Sequence, residues 1–186
     1  MWIFSLVTTV FLGVLGIQTT VGNAADSLSL RTARFILGSA IPVELQSEVM
    51  EQNNLRLQAK YADIKANEVR YEVSGMEDAD YMIVAFGSAA RISQKTVELA
   101  AERGIKVGVF RPITLWPFPE KEIREYSKNL KGVLTMEINA GQMVHDVRLA
   151  VGERIPVEHF GRLGGIVPDP EEVVEALVAL TKKANG

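Results

Sequence analysis

Residues 81–110 read YMIVAFGSAARISQKTVELAAERGIKVGVF, and this stretch decides the fold. Tyr81 to Phe86 is a continuous apolar run, as expected of a strand buried on both faces. Gly87-Ser88 makes the turn. Ala89 to Arg103 then carries Ile92, Thr96, Leu99 and Ala100 on one helical side, and Gly104 stands where a glycine ends a helix. Ile105 to Phe110 is a second apolar strand. Strand, helix and strand in so few residues make a right-handed crossover, the unit of a parallel sheet.

The pattern continues downstream. Pro112 to Pro119 is a stiff connection, Glu120 to Leu130 a short helix, and Gly132 to Ile138 a third strand. Gly141 to Val151 is a helix, Pro156 to Phe160 a fourth strand, and Gly161 to Gly165 a flexible loop. Asp169 caps the last helix, with Pro170 at its first position and Glu172 completing a capping box; the helix runs to about Lys183. Upstream, Glu44 to Asn67 spaces Leu57, Tyr61 and Ile64 as a helix does, and Glu68 to Ser74 alternates like an edge strand. The expected architecture is a three-layer α/β/α domain with a mainly parallel sheet.

The first 17 residues, MWIFSLVTTVFLGVLGI, do not match this body. No charge precedes Asp26, and the first basic residue is Arg31, whereas a signal peptide opens with Lys or Arg. The run is also short for a membrane span of roughly 20 residues. Three readings stay open: a signal cleaved after Ala24, a short anchor, or an artefact of cloning, gene start or reading frame. The expected division is an apolar extension over 1–33, a helical linker region over 34–76 and the α/β domain over 77–186.

Composition narrows the chemistry. The 186 residues carry a net charge of −3, which does not suit a nucleic-acid partner. There is no cysteine, so no disulfide and no cysteine-held zinc or iron–sulfur cluster can form within this chain. Only His145 and His159 are histidines. His145-Asp146 are adjacent, so on a helix their side chains diverge, and both histidines read as surface or hydrogen-bonded residues. Ser88 reads as a capping serine, in the absence of any phosphate-loop pattern.

Three segments remain as candidates. Arg111 to Pro119, RPITLWPFP, is held by three prolines and displays Trp116 and Phe118; the rings either meet a partner or fold over the end of the sheet. Asn139 to Gln142 follows a strand's C-terminal end, where open α/β sheets place ligands, but also reads as a plain turn. Glu137 acts as an acid or base only with a partner group nearby. Gly161-Arg162-Leu163-Gly164-Gly165 allows close backbone approach or simply connects.

Residues 85–119, then EINAGQMVHDV over 137–147, then GRLGG over 161–165, together resemble core domain II of the alpha subunit of 2-oxoacid:ferredoxin oxidoreductases. NLRLQAKY over 54–61 resembles the linker of the branched-chain, 2-oxoisovalerate members. The resemblance implies a transketolase C-terminal-like fold. It implies a complex that decarboxylates a 2-oxoacid oxidatively with coenzyme A, giving an acyl-CoA, carbon dioxide and reduced ferredoxin. Thiamine diphosphate and iron–sulfur clusters belong to other subunits or domains of that complex. No catalytic, cofactor-binding or metal residue is carried over to this chain, because the pyrimidine-side domain of a full alpha subunit is not found in it. The expectation is a truncated, cytoplasmic chain, inactive alone, with an assembly role toward beta and gamma/delta subunits. The candidate interface is Arg111, Pro112, Trp116, Pro117, Phe118, Asn139, Gly141, Gln142, Arg162, Gly164 and Gly165. The alternative is a non-enzymatic α/β interaction module, exported or membrane-tethered if residues 1–24 are a true signal.

Overall fold

A computed structural model describes residues 47–185. The apolar N-terminal stretch and the start of the first expected helix lie outside the described residues. Two compact units divide at Arg56/Leu57, and the second holds the α/β body.

Helix α1 (Ser47–Asn67) buries no side chain completely. Leu57 and Ile64 of its expected stripe are half-buried, and Tyr61 is exposed. Strand β1 (Tyr71–Ser74) follows, shorter than the alternating run that predicts it. Next come β2 (Tyr81–Ala85), α2 (Gly87–Glu102), β3 (Val107–Pro112), α3 (Glu120–Tyr126) and β4 (Gly132–Glu137). The chain ends with α4 (Met143–Val151), β5 (Val157–Gly161) and α5 (Pro170–Asn185).

The sheet order is β1-β3-β2-β4-β5. β3, β2, β4 and β5 run parallel, and β1 lies antiparallel on the β3 edge. β1 therefore joins the sheet at its edge, as the alternation of 68–74 predicts, and Tyr71 stacks on Phe110 at 5.0 Å.

Period-two alternation sorts the apolar run into two cores. Tyr81, Ile83 and Ala85 face one side with Val109, Leu134 and Met136, where α2 and α5 supply Ala89, Ala100, Val174 and Leu177. Met82 and Val84 face the other with Phe110 and Val133, under Ile123 of α3 and Met143, Val147 and Val151 of α4. Both faces are covered, giving the three layers expected. Full burial of each Val, Leu, Ile, Phe or Met side chain among them stabilises the fold by about 1.5–3 kcal/mol.

Helix ends follow local chemistry. Gly104 adopts φ +73 just past α2, which a residue with a Cβ resists. At α5, the Glu171 N–H donates to Asp169 Oδ1 at 3.2 Å and the Asp169 N–H donates to Glu172 Oε2 at 3.3 Å, so the capping box forms. α2 differs from its sequence reading. It begins at Gly87 with Phe86 as N-cap and no side-chain cap, so Ser88 is an exposed first-turn residue rather than the cap.

Candidate functional site at the C-terminal edge of the sheet

The chain leaves β2 toward β3 on one side and later returns past it to β4 on the other. The strand order therefore reverses between β2 and β4, where open sheets leave a crevice at their C-terminal ends. Phe86–Ser88 follows β2 and 138–142 follows β4 at that crevice. The proline-rich loop follows β3, and the 162–167 loop follows β5. The three segments singled out by sequence thus share one rim, because each follows a parallel strand.

The proline-rich loop treats its two rings differently. Phe118 is half-buried and packs against the core on the α3/α4 side, while Pro117 beside it is buried. Trp116 remains 54% exposed and meets Tyr61 edge-to-face at 5.5 Å. Ile113 and Leu115 are exposed with it. Arg111 ends the sheet differently from a free interface cation: Glu72 opposes it on β1, and the two pair at 2.8 Å. Pro112, the last residue of β3, is buried.

After β4 the turn reading holds. The Gly141 N–H donates to Asn139 Oδ1 at 2.7 Å, and Gly141 takes φ +97. Gln142 is the exposed N-cap of α4, without a side-chain cap bond. The capping group is Glu137, a residue the sequence leaves without a role. Its side chain is fully buried at the end of β4. It accepts the N–H groups of Gln142, Met143 and Val144 at 3.1, 3.0 and 3.0 Å. Three donors at a helix N-terminus offset the cost of burying an acid. The available signal is the acid itself: Glu137 closes the otherwise apolar strand GVLTME immediately before a turn and a helix.

His159 on β5 corrects the surface-or-hydrogen-bonded reading. Its side chain is 22% exposed, and Nδ1 stands 3.6 Å from Glu137 Oε1. That Nδ1 is buried without a hydrogen-bond partner among the described residues, as is the hydroxyl of Thr135, its registered neighbour on β4. His145 and Asp146, by contrast, are exposed on α4.

After β5, Arg162 is half-buried and reaches Glu172 at 3.6 Å. Gly164 and Gly165 are exposed with φ +67 and +81. Leu163, Ile166 and Val167 are exposed around them. Six large apolar side chains therefore stand in water on this rim: Ile113, Leu115, Trp116, Leu163, Ile166 and Val167. Among the described residues, no group of three or more His, Cys, Asp or Glu side chains is placed to hold a metal ion, and no helix is long and apolar enough to cross a membrane.

Residues 79–173, half of the chain, match the profile of pyruvate:ferredoxin oxidoreductase core domain II. The chain belongs to this family. The chain is 38% identical over 141 residues to the ketoisovalerate oxidoreductase subunit VorB of Methanothermobacter marburgensis, covering 76% of this chain and 40% of that subunit. It is 38% identical over 119 residues to the 2-oxoglutarate synthase subunit KorA of Archaeoglobus fulgidus, covering 63% of this chain and 32% of that one. Among solved structures, the 2-oxoglutarate:ferredoxin oxidoreductase from Magnetococcus marinus superposes with a TM-score of 0.57 at 26% identity, over 71% of this chain and 23% of that one. A split-gene transketolase shares the fold, with a TM-score of 0.52 at 21% identity, over 61% and 41% of the two chains. Residues 1–44 separately match the profile of stage III sporulation protein AE. The chain thus spans less than half the length of the core domain II relatives it resembles.

Proposed function

We propose that this chain serves as the C-terminal domain of an alpha-type subunit in a ferredoxin-dependent 2-oxoacid oxidoreductase of the branched-chain class. Its part is assembly, and the reactive groups lie on its neighbours. The carrying observation is the rim, where six large apolar side chains stand exposed on loops that follow parallel strands. They fall in two groups, one after β3 and one after β5, with β2 and β4 between these strands, and exposed apolar groups gathered on one rim suit a protein–protein contact that spans it. Stiffening by proline lowers the ordering cost of such a contact, and an exposed Trp suits its centre.

The rim residues do not fit thiamine diphosphate. The N-terminus of α4, which could otherwise receive a phosphate, is filled by the Glu137 carboxyl group. The N-terminus of α2 begins Gly-Ser-Ala-Ala, without a basic residue in its first turn. No chemical step is therefore assigned to this chain. The likeness to a ketoisovalerate oxidoreductase subunit, of which the chain spans 40%, supports placing it in a complex of that class.

Co-expression with a thiamine-diphosphate-binding beta subunit of a 2-oxoisovalerate:ferredoxin oxidoreductase tests this. The expected result is a complex that survives size exclusion and is lost when Trp116 and Leu163 are both changed to Asp. Failure of the unaltered chain to bind any such subunit would sink the proposal. The separate match of residues 1–44 favours a second reading, an α/β module borne on an unrelated N-terminal segment. Mass spectrometry of the mature N-terminus separates the two, since cleavage after Ala24 means export and excludes a ferredoxin-linked complex.

A further inference from the structure

The two rim turns after β4 and β5 meet at one side chain. His159 projects from β5 toward the α4 side of the sheet, the side that Val157 shares. Its Nδ1 faces Glu137 Oε1 at 3.6 Å. Glu137 in turn holds the N–H groups that close the Asn139–Gln142 turn. The far edge of the imidazole lies against two glycines. A Cβ on Gly141 would stand 3.2 Å from His159 Nε2, and a Cβ on Gly161 would stand 2.7 Å from the same atom and press into the Asn139 carbonyl oxygen. Gly141 belongs to the β4–α4 turn, and Gly161 is the last residue of β5, from which the loop to α5 departs. The ring therefore fills a slot that exists only because both turns carry glycine at that point.

We infer that His159 is a positioning residue that couples the 138–142 turn to the 161–167 loop, so that the two halves of the rim keep one fixed spacing. It is not a surface histidine: its ring spans the gap between the turns. Nor is it a plain core residue, because a polar atom faces the acid that caps α4. The consequence for docking rests on reading the rim as a contact surface. The coupling itself does not.

Hydrogen–deuterium exchange on the full chain tests the coupling. His159→Ala is expected to raise exchange about tenfold in peptides covering both 138–144 and 161–167, while the β2 peptide 81–85 stays protected. His159→Gln carries the same test if the alanine variant does not fold. Exchange that rises only within β5, or only in one of the two turns, would overturn the inference. In the co-expressed complex, His159→Ala should weaken binding of the beta subunit about tenfold at unchanged circular dichroism. Undiminished affinity alongside two loosened turns would refute the docking consequence alone. Absence of binding by the unaltered chain would refute the docking reading, and exchange would still decide the coupling.

Discussion

Glu137 shows how one buried acid organises its surroundings. Its oxygens satisfy three backbone donors that α4 cannot satisfy internally. Removing them strands those donors beneath a covered helix end, and an unsatisfied buried group costs more than a typical hydrogen bond returns. Glu137→Ala should therefore lower stability by about 3 kcal/mol, which thermal unfolding would register as a fall of about 10 °C. Asp169 is the exposed counterpart. Hydrogen bonding to the Glu171 side chain, and then to the Glu171 backbone N–H, holds its carboxyl below the ordinary 3.8. A lowered acid stabilises the fold above its unfolded value, and that stabilisation is lost as pH falls through the folded value. The gap between the midpoints of wild type and Asp169→Ala should thus be full above about pH 5 and narrow as pH falls below 3.8 toward the lower folded value. An equal gap at pH 3 would contradict the linkage.

At the scale of elements, β2 was legible because burial on both faces writes a continuous apolar run, and YMIVAF is such a run; in β4 the apolar start GVL carried the signal, ahead of the buried Thr135 and Glu137. Asp169-Pro170-Glu171-Glu172 was legible because capping is local chemistry. The Glu137–His159 contact was not legible. Its partners lie 22 positions apart and meet only when β5 pairs with β4, a register no local signal specifies. The turn around Asn139 could be read, but not that a strand residue, rather than Gln142, would cap the next helix. The proline-rich loop was half legible: its stiffness is written in the sequence, whereas the split between a tucked Phe118 and a displayed Trp116 needed the fold. That split yields a prediction. Trp116 is 54% exposed and touches Tyr61 only by its edge. Trp116→Ala should change stability by less than about 1 kcal/mol, since little buried area is lost. On the proposed rim it should cost about 2 kcal/mol of docking, or roughly thirtyfold in affinity by calorimetry. Phe118→Ala should invert the pattern and lower stability first.

For the whole molecule, the sheet is complete in itself while its C-terminal rim is not. Two cores close both faces around β2, β3 and β4, yet loops at one end hold apolar side chains in water. Oxidative decarboxylation needs an electron sink for a carbanion and a carrier for the released electrons. With no cysteine anywhere in its sequence, the chain cannot hold an iron–sulfur cluster by thiolates. Its buried acid is committed to a helix end, and its one partly buried histidine to the gap between two turns. The purified chain, mixed with 2-oxoisovalerate or pyruvate, coenzyme A, thiamine diphosphate and a dye acceptor, should therefore give no dye reduction above buffer. Adding the beta and gamma/delta subunits of a 2-oxoisovalerate:ferredoxin oxidoreductase should not release activity from this chain alone, but should consume it into a complex. Steady turnover by the isolated chain would mean that the rim performs chemistry, and the division of labour proposed for it would have to be abandoned.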